Sequence, residues 1–501
     1  MWIKKIRITN ERRGWCTKTC YGQVVYRCSS PLSLDDWSSV MKRFKKIIAI
    51  GLTLAMGLSL CGCGGSKKKG EGKAENPEEA MEENMPEVEG DPIFVYSFDG
   101  ELGEKLQYFY ELYPQYENRV EFVNLKMGAA SKEYQDTIKS LMKEGTKRKK
   151  KTVVEGEESS EEEGELPKYP SIVANDSIMG YSLIQNDYSV SMSSLGITEE
   201  DMQNMYPYTL SAATFQDEVK GLAWGITPGA FLYRADIAEK VLGESSPEAV
   251  QEALANWSEF QKMAKKMKEA GYKMLSGADE VTYAMLQNKQ TPWVVEENLR
   301  IDSNVKKCLE LSKKLQDEEY AGNTRITSDE RRASFGSDVF GWFVYPGMIN
   351  EGMETGGHDG DFRLCQGPNA YQWGNTYLTV SPQCPDKELA TLVLKTLCCN
   401  EEVLAKMAAE GEIVNHKDIM EEQAQADAGL EILGGQNPME IWTDVADSID
   451  ALRVTPYDGR FDSWIQELSV SFNEEKIENT KKVFDQFKDR VSDTFNYIVV
   501  K

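Results

Sequence analysis

Histidine, which often carries metal-binding or nucleophilic chemistry, is sparse in this chain, and only half of its ten cysteines follow residue 63. The 501 residues contain only two histidines, His358 and His416, so a histidine-rich metal site is excluded and histidine-based catalysis has few candidates. Five cysteines follow residue 63: Cys308, Cys365, Cys384, Cys398 and Cys399. An odd number without a C-x-x-C spacing indicates neither a zinc site nor a complete disulfide framework. The adjacent pair is more typical of small core residues than of redox groups.

Residues 356–361, with the sequence GGHDGD, are the one stretch that suggests a calcium loop. They lack the further spaced acidic ligands and the distal glutamate of such a loop. We therefore interpret them as a surface turn. The sequence predicts no metal site, no cofactor and no catalytic residue.

The charge of the chain argues against nucleic-acid binding. Lys and Arg number 57 and Asp and Glu number 82, which gives a net charge of −25. A nucleic-acid-binding protein needs a basic surface that displaces counterions from phosphates. Without residues 1–62 the chain keeps 46 basic and 79 acidic residues, a net charge of −33. Such a protein is repelled by anionic lipid headgroups.

The N-terminal region carries a targeting signal. A basic start at residues 41–46 precedes 14 uncharged, mostly apolar residues, 47–60, which are too few for a membrane span and typical of a signal-peptide core. Cys63 follows Gly62, as in a bacterial lipoprotein signal, and is predicted to be lipidated. We interpret 1–40 as a spurious extension and 41–62 as the signal peptide. An uncleaved signal anchor is the alternative.

Two charged segments are predicted to be disordered. Residues 63–91 are rich in Glu, Gly and Pro and have almost nothing to bury, which is typical of a tether. Residues 144–166 place a basic block before an acidic block. We interpret the second segment as a tolerated insertion, with a docking segment for a partner as the alternative.

The first half of the folded region alternates between strands and helices. Apolar runs at 93–98, 120–125 and 171–174 predict buried strands. Apolar residues at helical spacing predict helices over 102–113 and 134–142. This order implies a parallel sheet with right-handed crossovers and an α/β fold.

The second half also combines predicted strands with predicted helices. Strands are predicted at 222–226, 231–233, 339–344 and 376–380, and helices over 257–267 and 389–397. From residue 401 to the end, helices dominate. No period of 20–50 residues recurs, so a solenoid or propeller is excluded.

Several motifs, in their order and spacing, resemble the extracellular solute-binding proteins of ABC importers, family 1, which includes maltose-binding proteins. The resemblance spans about residues 91–495. Its motifs lie at residues 95–101 and 113–114, 221–226 and 232–236, 341–343, 371–378 and 385–390, and 435–438 with 455–458. The lipoprotein signal and the acidic tether agree with this family.

The resemblance implies a periplasmic-binding-protein-like type II fold, in which crossover hinge strands join two interleaved α/β lobes. The boundaries it implies are 92–220 for the first part of lobe 1, 221–335 for the first part of lobe 2, 336–398 for the rest of lobe 1 with the return crossover, and 399–501 for the rest of lobe 2.

The function it implies is capture of a mono- or oligosaccharide by hinge closure. We expect a monomer, held by its lipid on the outer face of the cell membrane, that delivers the sugar to the permease subunits of an ABC transporter.

Sugar binding needs polar groups for the hydroxyls and aromatic faces for the C–H face. Asp99 follows the first strand, where a carboxylate can accept hydroxyl groups or cap the next helix. Asn175 and Asp176 follow the third strand in the same topological position, and Asp458 lies in a turn or contacts the ligand.

Four aromatic residues are candidates for stacking on the sugar. The resemblance places a sugar-facing tryptophan at Trp342, with a core tryptophan as the alternative. Trp373 precedes a glycine at the return crossover, Tyr377 follows on the next strand, and Trp224 lies in the first crossover.

Two other function classes remain open. A surface lipoprotein that kept the fold but acts as a sensor or scaffold agrees with the charged insertion. A surface glycosidase would need two carboxylates about 5–10 Å apart across a sugar site, and the sequence singles out no such pair.

Overall fold

The structure is a computed structural model that describes residues 88–151, 168–184, 187–349 and 361–501, with side chains omitted at 145–151. The predictions for the spurious extension, the signal peptide, Cys63 and most of the tether lie outside the described residues. So does the predicted turn at 356–360.

The described strands, in chain order, are β1 Ile93–Ser97, β2 Val120–Asn124, β3 Pro170–Asp176, β4 Thr214–Phe215, β5 Glu218–Val219, β6 Ala230–Arg234, β7 Lys273–Leu275, β8 Val294–Val295, β9 Asn298–Leu299, β10 Val339–Val344, β11 Phe362–Cys365 and β12 Thr376–Val380.

The described α-helices are α1 Glu101–Leu112, α2 Lys132–Lys151, α3 Tyr181–Ile184, α4 Glu199–Met202, α5 Pro207–Ala212, α6 Ala235–Leu242, α7 Pro247–Ala253, α8 Trp257–Glu269, α9 Glu280–Met285, α10 Ser303–Asp317, α11 Asp329–Ser334, α12 Lys387–Cys398, α13 Glu401–Ala409, α14 Lys417–Gln425, α15 Pro438–Ser448, α16 Asp458–Asn473 and α17 Thr480–Thr494. None of the described helices is long and apolar enough to cross a membrane.

The first sheet has the strand order β12-β3-β1-β2. β1 pairs in parallel with both β2 and β3, and β12 returns antiparallel to β3. Pro114 directly follows the C-cap of α1, and the Asp386 carboxylate caps α12 by accepting the Leu389 N–H at 2.8 Å. The predicted order of parallel strands is confirmed.

The second sheet is mixed and has the order β11-β6-β10-β7. β6 is antiparallel to both β10 and β11, while β10 runs parallel to β7. The predicted boundary at 336 therefore needs correction, because β10 and β11 belong to the second sheet and only β12 returns to the first. Apolar strands have similar sequences whichever sheet they join, so the sequence did not show which sheet contains β10 and β11.

The boundary at 399 also needs correction. α13 continues the packing of lobe 1, since Val403, Leu404 and Met407 are buried in the same core as β1 and β3. Lys105 and Lys406 form ion pairs that tie α1 and α13 together, with Glu412 and Glu111 respectively.

The predicted disordered insertion starts later than expected. α2 continues through residue 144 to Lys151, and residues 152–167 lie outside the described residues. Lys, Arg and Glu are good helix formers, so the onset of a charged block does not by itself end a helix.

The two sheets are joined by crossover segments that pair with each other. Residues 221–229 run beside residues 371–378: the Leu378 N–H donates to the Leu222 carbonyl at 2.7 Å, and the Trp373 N–H donates to the Thr227 carbonyl at 2.8 Å. The segment predicted as a strand at 222–226 forms isolated bridges instead of a regular strand. These paired segments form the hinge.

Candidate functional site

Two carboxylates, Asp99 and Asp176, lie at or just beyond the ends of β1 and β3. Tyr96 pairs with Val173, so counting three residues onward along both strands brings Asp99 to the level of Asp176. Adjacent strands are about 4.8 Å apart, and the carboxyl ends of parallel strands are the usual place for a ligand. The structure thus places two of the residues predicted from sequence at the same edge of the first sheet.

Each of these carboxylates makes local hydrogen bonds and keeps capacity for more. Asp99 Oδ1 accepts the Glu101 N–H at 3.2 Å at the start of α1, although Gly100 is the N-cap residue of that helix, and Asp176 Oδ1 accepts the Ile178 N–H at 2.7 Å. Neither carboxylate pairs with a cation among the described residues, and both side chains are half-buried. A ligand could supply the missing donors.

Burial makes the charged form of these acids costly. It raises the pKa of Asp99, although the Glu101 N–H and the Ser97 hydroxyl partly oppose this. Burial also raises the pKa of Asp176 to about 6, against the lowering effect of the Ile178 and Met179 N–H groups. Glu101 is exposed, yet desolvation by the surrounding protein raises its pKa to about 7. The charge of Lys105 opposes this rise.

Trp373 lies in the hinge and packs against the cores on both sides of it. Its ring is stacked on Tyr283 of α9, with centroids 4.8 Å apart and planes at 19°. Tyr345, just after β10, approaches it at 5.2 Å and 42°. All three rings are half-buried, so they form an aromatic platform of the kind that packs against the C–H face of a sugar.

The platform also offers polar atoms. Among the described residues, neither the Trp373 Nε1–H nor the Tyr283 hydroxyl has a hydrogen-bond partner, and neither atom is sealed from solvent. In a well-packed interior such groups would be satisfied. They are therefore free to bind a ligand.

The platform adjoins Asp176 through the backbone of the hinge. Asp176 pairs with Thr376, and the Ser177 N–H donates to the Asn375 carbonyl at 3.0 Å. Trp373 lies two residues before Asn375. We call Asp99, Asp176, Trp373, Tyr283 and Tyr345 together the hinge site.

Three other predicted residues lie in the interior. The Asn175 side chain is fully buried and donates to the Val173 carbonyl and the Thr379 hydroxyl. Tyr377 is buried beside Ala223, and burial raises its pKa far above the ordinary value. Trp224 is buried in the large core that includes residues of both sheets. None of them offers a ligand more than a trace of exposed surface.

The interpretation of Trp342 as a ligand platform is not supported by its position. The indole is 0% exposed, and its Nε1–H donates to the Ser334 hydroxyl at 2.8 Å. It is stacked on Phe335 at 4.5 Å and contacts Phe362 at 6.0 Å. Both its faces and its donor are used within the core, which was the alternative weighed for this residue.

Asp458 has a structural role at the start of α16. One oxygen accepts the Lys289 ammonium at 2.7 Å, and the other accepts the N–H and hydroxyl of Thr455. Asp458 is only 8% exposed. Of the two interpretations, the turn is the one observed.

Sequence reasoning missed Tyr283 and Tyr345. Tyr345 directly follows β10, so the rule that selected Asp99 and Asp176 at strand ends could have found it. Tyr283 lies within a helix, where nothing in the sequence distinguishes a ring facing a ligand from a core ring.

Cysteine and acidic residues form no further reactive site in the part of the chain that is described. Cys308, Cys365, Cys384 and Cys398 are buried and Cys399 is half-buried, so of the adjacent pair predicted to be core residues only Cys398 lies fully in the interior. Burial raises the pKa of the Cys399 thiol to about 12, which disfavours the reactive thiolate. No group of three or more candidate ligands there could hold a metal ion.

The lobes also touch beside the hinge site. A Cβ atom added at Gly459 of α16 would lie 2.3 Å from the Ser177 carbonyl oxygen, so the two backbones are in direct contact. Tyr181 of α3 packs on Phe495, just after α17, with centroids 5.0 Å apart.

No protein-family model and no curated protein matches the sequence. The fold, however, is similar to those of solved solute-binding proteins. One is an extracellular solute-binding protein of family 1, with a TM-score of 0.64 and 14% identity over 80% of this chain and 99% of that chain.

Two further structures have names that state their ligand class. The galacto-N-biose/lacto-N-biose I-binding protein of an ABC transporter from Bifidobacterium longum, in complex with lacto-N-biose, has a TM-score of 0.61 and 13% identity over 83% of this chain and 100% of that chain. The sugar-binding protein MalE from Xanthomonas citri has a TM-score of 0.59 and 13% identity over 80% of this chain and 96% of that chain. These similarities confirm the predicted fold class.

Proposed function

We propose that this protein is a solute-binding protein that captures a carbohydrate between its two lobes and delivers it to an ABC transporter. The observation that carries the proposal is the hinge site. It combines a half-buried aromatic platform, whose Trp373 N–H and Tyr283 hydroxyl have no hydrogen-bond partner among the described residues, with two carboxylates that have no cationic partner there. The names of the proteins with a similar fold agree with this ligand class.

The mechanism needs binding and closure without a chemical step. A sugar ring would pack on Trp373 while Asp99 and Asp176 accept its hydroxyl hydrogens. Because the hinge joins the lobes through paired backbone segments, rotation there can bring lobe surfaces together over the ligand. A ligand that contacts both lobes favours the closed form through its differential affinity.

A binding screen with matched tryptophan variants tests the sugar site. We expect isothermal titration calorimetry of the purified full-length chain to detect at least one saccharide in a panel of neutral and charged sugars. Trp373→Ala should lower that affinity by at least about tenfold, since it removes the stacking face. Trp342→Phe is the control, because Trp342 is buried in the core. This variant should lower the melting temperature but keep the sugar affinity within about twofold of the unchanged protein.

Two results would contradict this proposal. If no saccharide binds while a peptide or a metal ion does, the ligand class is wrong. If Trp342→Phe and Trp373→Ala weaken sugar binding equally in folded protein, the hinge site is not the binding site.

Delivery and anchoring are separate parts of the proposal. The lipoprotein motif supports attachment at Cys63 on the outer face of the membrane. We expect labelled fatty acid to be incorporated in cells and lost in Cys63→Ala, whereas Cys61→Ala keeps the label. Sugar uptake that depends on this protein together with the neighbouring permease subunits would support delivery. Sugar binding without any effect on uptake would favour a sensor.

A further inference from the structure

The hinge site has an excess of negative charge. Asp99, Glu101 and Asp176 lie at the ends of β1 and β3 and at the start of α1. The titratable groups around them are Glu104, Lys105, Lys126, Tyr134, Tyr377 and Glu412. Of the two cations in this set, Lys105 is already paired with Glu412, and Lys126 is exposed.

The second lobe adds a further carboxylate beside the aromatic platform. Asp279 and Tyr283 are four residues apart at the start of α9, so they lie on the same face of that helix. Asp279 is 5% exposed, and its Oδ1 has no hydrogen-bond partner, while Oδ2 accepts the Ile326 N–H at 3.2 Å. Its negative charge helps to raise the pKa of Tyr283.

The arginines of the second lobe are used elsewhere. Arg331 contacts Glu280 and donates to the Phe343 carbonyl at 2.9 Å, and both of these side chains are buried. Arg325 pairs with Glu474. Arg460 of α16, which follows Gly459, lies over the Trp464 ring at 4.8 Å and interacts with Tyr181. None of these cations forms an ion pair with Asp99 or Asp176 among the described residues.

Resting on the function proposed above, we propose that the hinge site selects saccharides that carry a free amino group, takes neutral saccharides more weakly and excludes sugar acids. An ammonium group has three donors and a positive charge, which match the carboxylate oxygens that lack a cationic partner. A uronate would place another carboxylate next to Asp99 and Asp176 in a half-buried site, where like charges repel strongly.

The preference depends on pH in a defined direction. Asp176 and Glu101 have pKa values raised to about 6 and about 7, so they are partly protonated near neutral pH. An ammonium group binds the ionised carboxylates. Affinity for an amino sugar should therefore rise from pH 5 until the amino group of the sugar begins to lose its own proton, while affinity for a neutral sugar should change little.

A disaccharide series on one backbone tests the proposal. Cellobiose, the chitosan disaccharide, diacetylchitobiose and cellobiouronic acid share the β-1,4 linkage and differ in charge. We expect the chitosan disaccharide to bind the purified full-length chain at least about tenfold more tightly than cellobiose, the gain of about one charge-assisted hydrogen bond. The neutral acetylated compound should lose this gain, and cellobiouronic acid should bind more weakly than cellobiose.

Charge-neutral variants locate the effect. Asp99→Asn and Asp176→Asn keep the side-chain shape, and each should reduce the preference for the amino sugar several-fold while cellobiose binding changes less. Asp489→Asn removes the same charge from an exposed position on α17 and should leave the preference unchanged. Thermal melts will show that each variant is folded.

The outcomes separate the two proposals. Equal binding of the neutral and amino sugars, or tightest binding of cellobiouronic acid, would overturn the charge preference and leave the sugar-binding function intact. A preference that Asp489→Asn removes as well as Asp176→Asn would also overturn it, because it would reflect overall charge. Binding of no saccharide in this or any wider panel would refute both proposals.

Discussion

The two lobes use their acidic residues in opposite ways. In the first lobe, Asp99 and Asp176 follow strand ends, stay half-buried and have no cationic partner among the described residues. In the second lobe, Glu280 accepts the Phe343 N–H and contacts Arg331, and Asp458 accepts Lys289, all within the interior. The difference indicates that Glu280 and Asp458 stabilise the second lobe, while Asp99 and Asp176 keep carboxylate oxygens without a cationic partner.

The aromatic residues show the reverse division. The second lobe and the hinge supply Tyr283, Tyr345 and Trp373, whereas the first lobe supplies no ring to the platform. A ligand held between the lobes would meet acceptors on one side and ring faces on the other. This division requires both lobes for binding, so closure and recognition depend on each other.

Of the substitutions that test this difference between the lobes, the replacement of Lys289 should have the largest effect. This residue is 2% exposed and lies between Asp458 and Asp462, whose charges raise its pKa above the ordinary value although burial alone would lower it. Lys289→Met leaves two buried carboxylates without their cation. It should lower the free energy of unfolding by about 3–5 kcal/mol, measured by urea denaturation.

The matched control for this prediction is Lys481→Met. Lys481 pairs with Asp485 on the exposed side of α17, where an ion pair contributes little. If the two variants lose equal stability, the acidic residues of the second lobe do not have the structural role assigned to them.

The next largest effect concerns Asp279, the acid of the second lobe that has an oxygen without a partner. Burial raises its pKa to about 6, the N–H of Ile326 opposes this, and the charge of Glu280 adds to it. Because the folded form holds its proton more tightly than the unfolded chain, this group destabilises the protein at high pH. The penalty is relieved as the pH falls through 6 towards 4.

Asp279→Asn should therefore stabilise the protein at pH 8 by about 2–3 kcal/mol and flatten the dependence of stability on pH between 4 and 6. Denaturation at several pH values measures both effects. Asp489→Asn on α17 is the control and should change neither. A destabilised Asp279→Asn variant at pH 8 would show that the charged form is needed for folding.

The smallest effect expected is at the contact between the lobes. Gly459→Ala would place a methyl group 2.3 Å from the Ser177 carbonyl oxygen and force the two backbones apart. We expect ligand affinity to fall roughly fivefold, about 1 kcal/mol. The radius of gyration of the ligand-bound protein, measured by small-angle X-ray scattering, should increase slightly.

Ser463→Ala, one turn further along α16, adds no atom and is the control. Alanine favours helix more than glycine does, so an affinity loss in Gly459→Ala cannot come from a weaker helix. Unchanged affinity and size would show that this contact does not support the closed arrangement.

Strand ends were predictable from sequence, but side-chain directions were not. Apolar runs marked β1 and β3, and chain order made them parallel, so Asp99 and Asp176 could be placed at one edge in advance. Trp342 and Trp373 looked alike as tryptophans near glycine on apolar segments. Successive residues of a strand face opposite sides of the sheet, and sequence does not say which side is covered. Phe335 and Phe362 cover Trp342 in the structure.

The sequence by itself determined the α/β class, the parallel order of the first strands and the position of two carboxylates at strand ends. These depend on local periodicity, composition and charge, which the chain carries in linear form. Only the tertiary structure decided that β10 and β11 join the second sheet, that Tyr283 and Tyr345 surround Trp373, and that Asp458 is used by Lys289. Such pairings bring together residues up to 169 positions apart, as for Lys289 and Asp458. They depend on packing complementarity between distant segments, which no local pattern records.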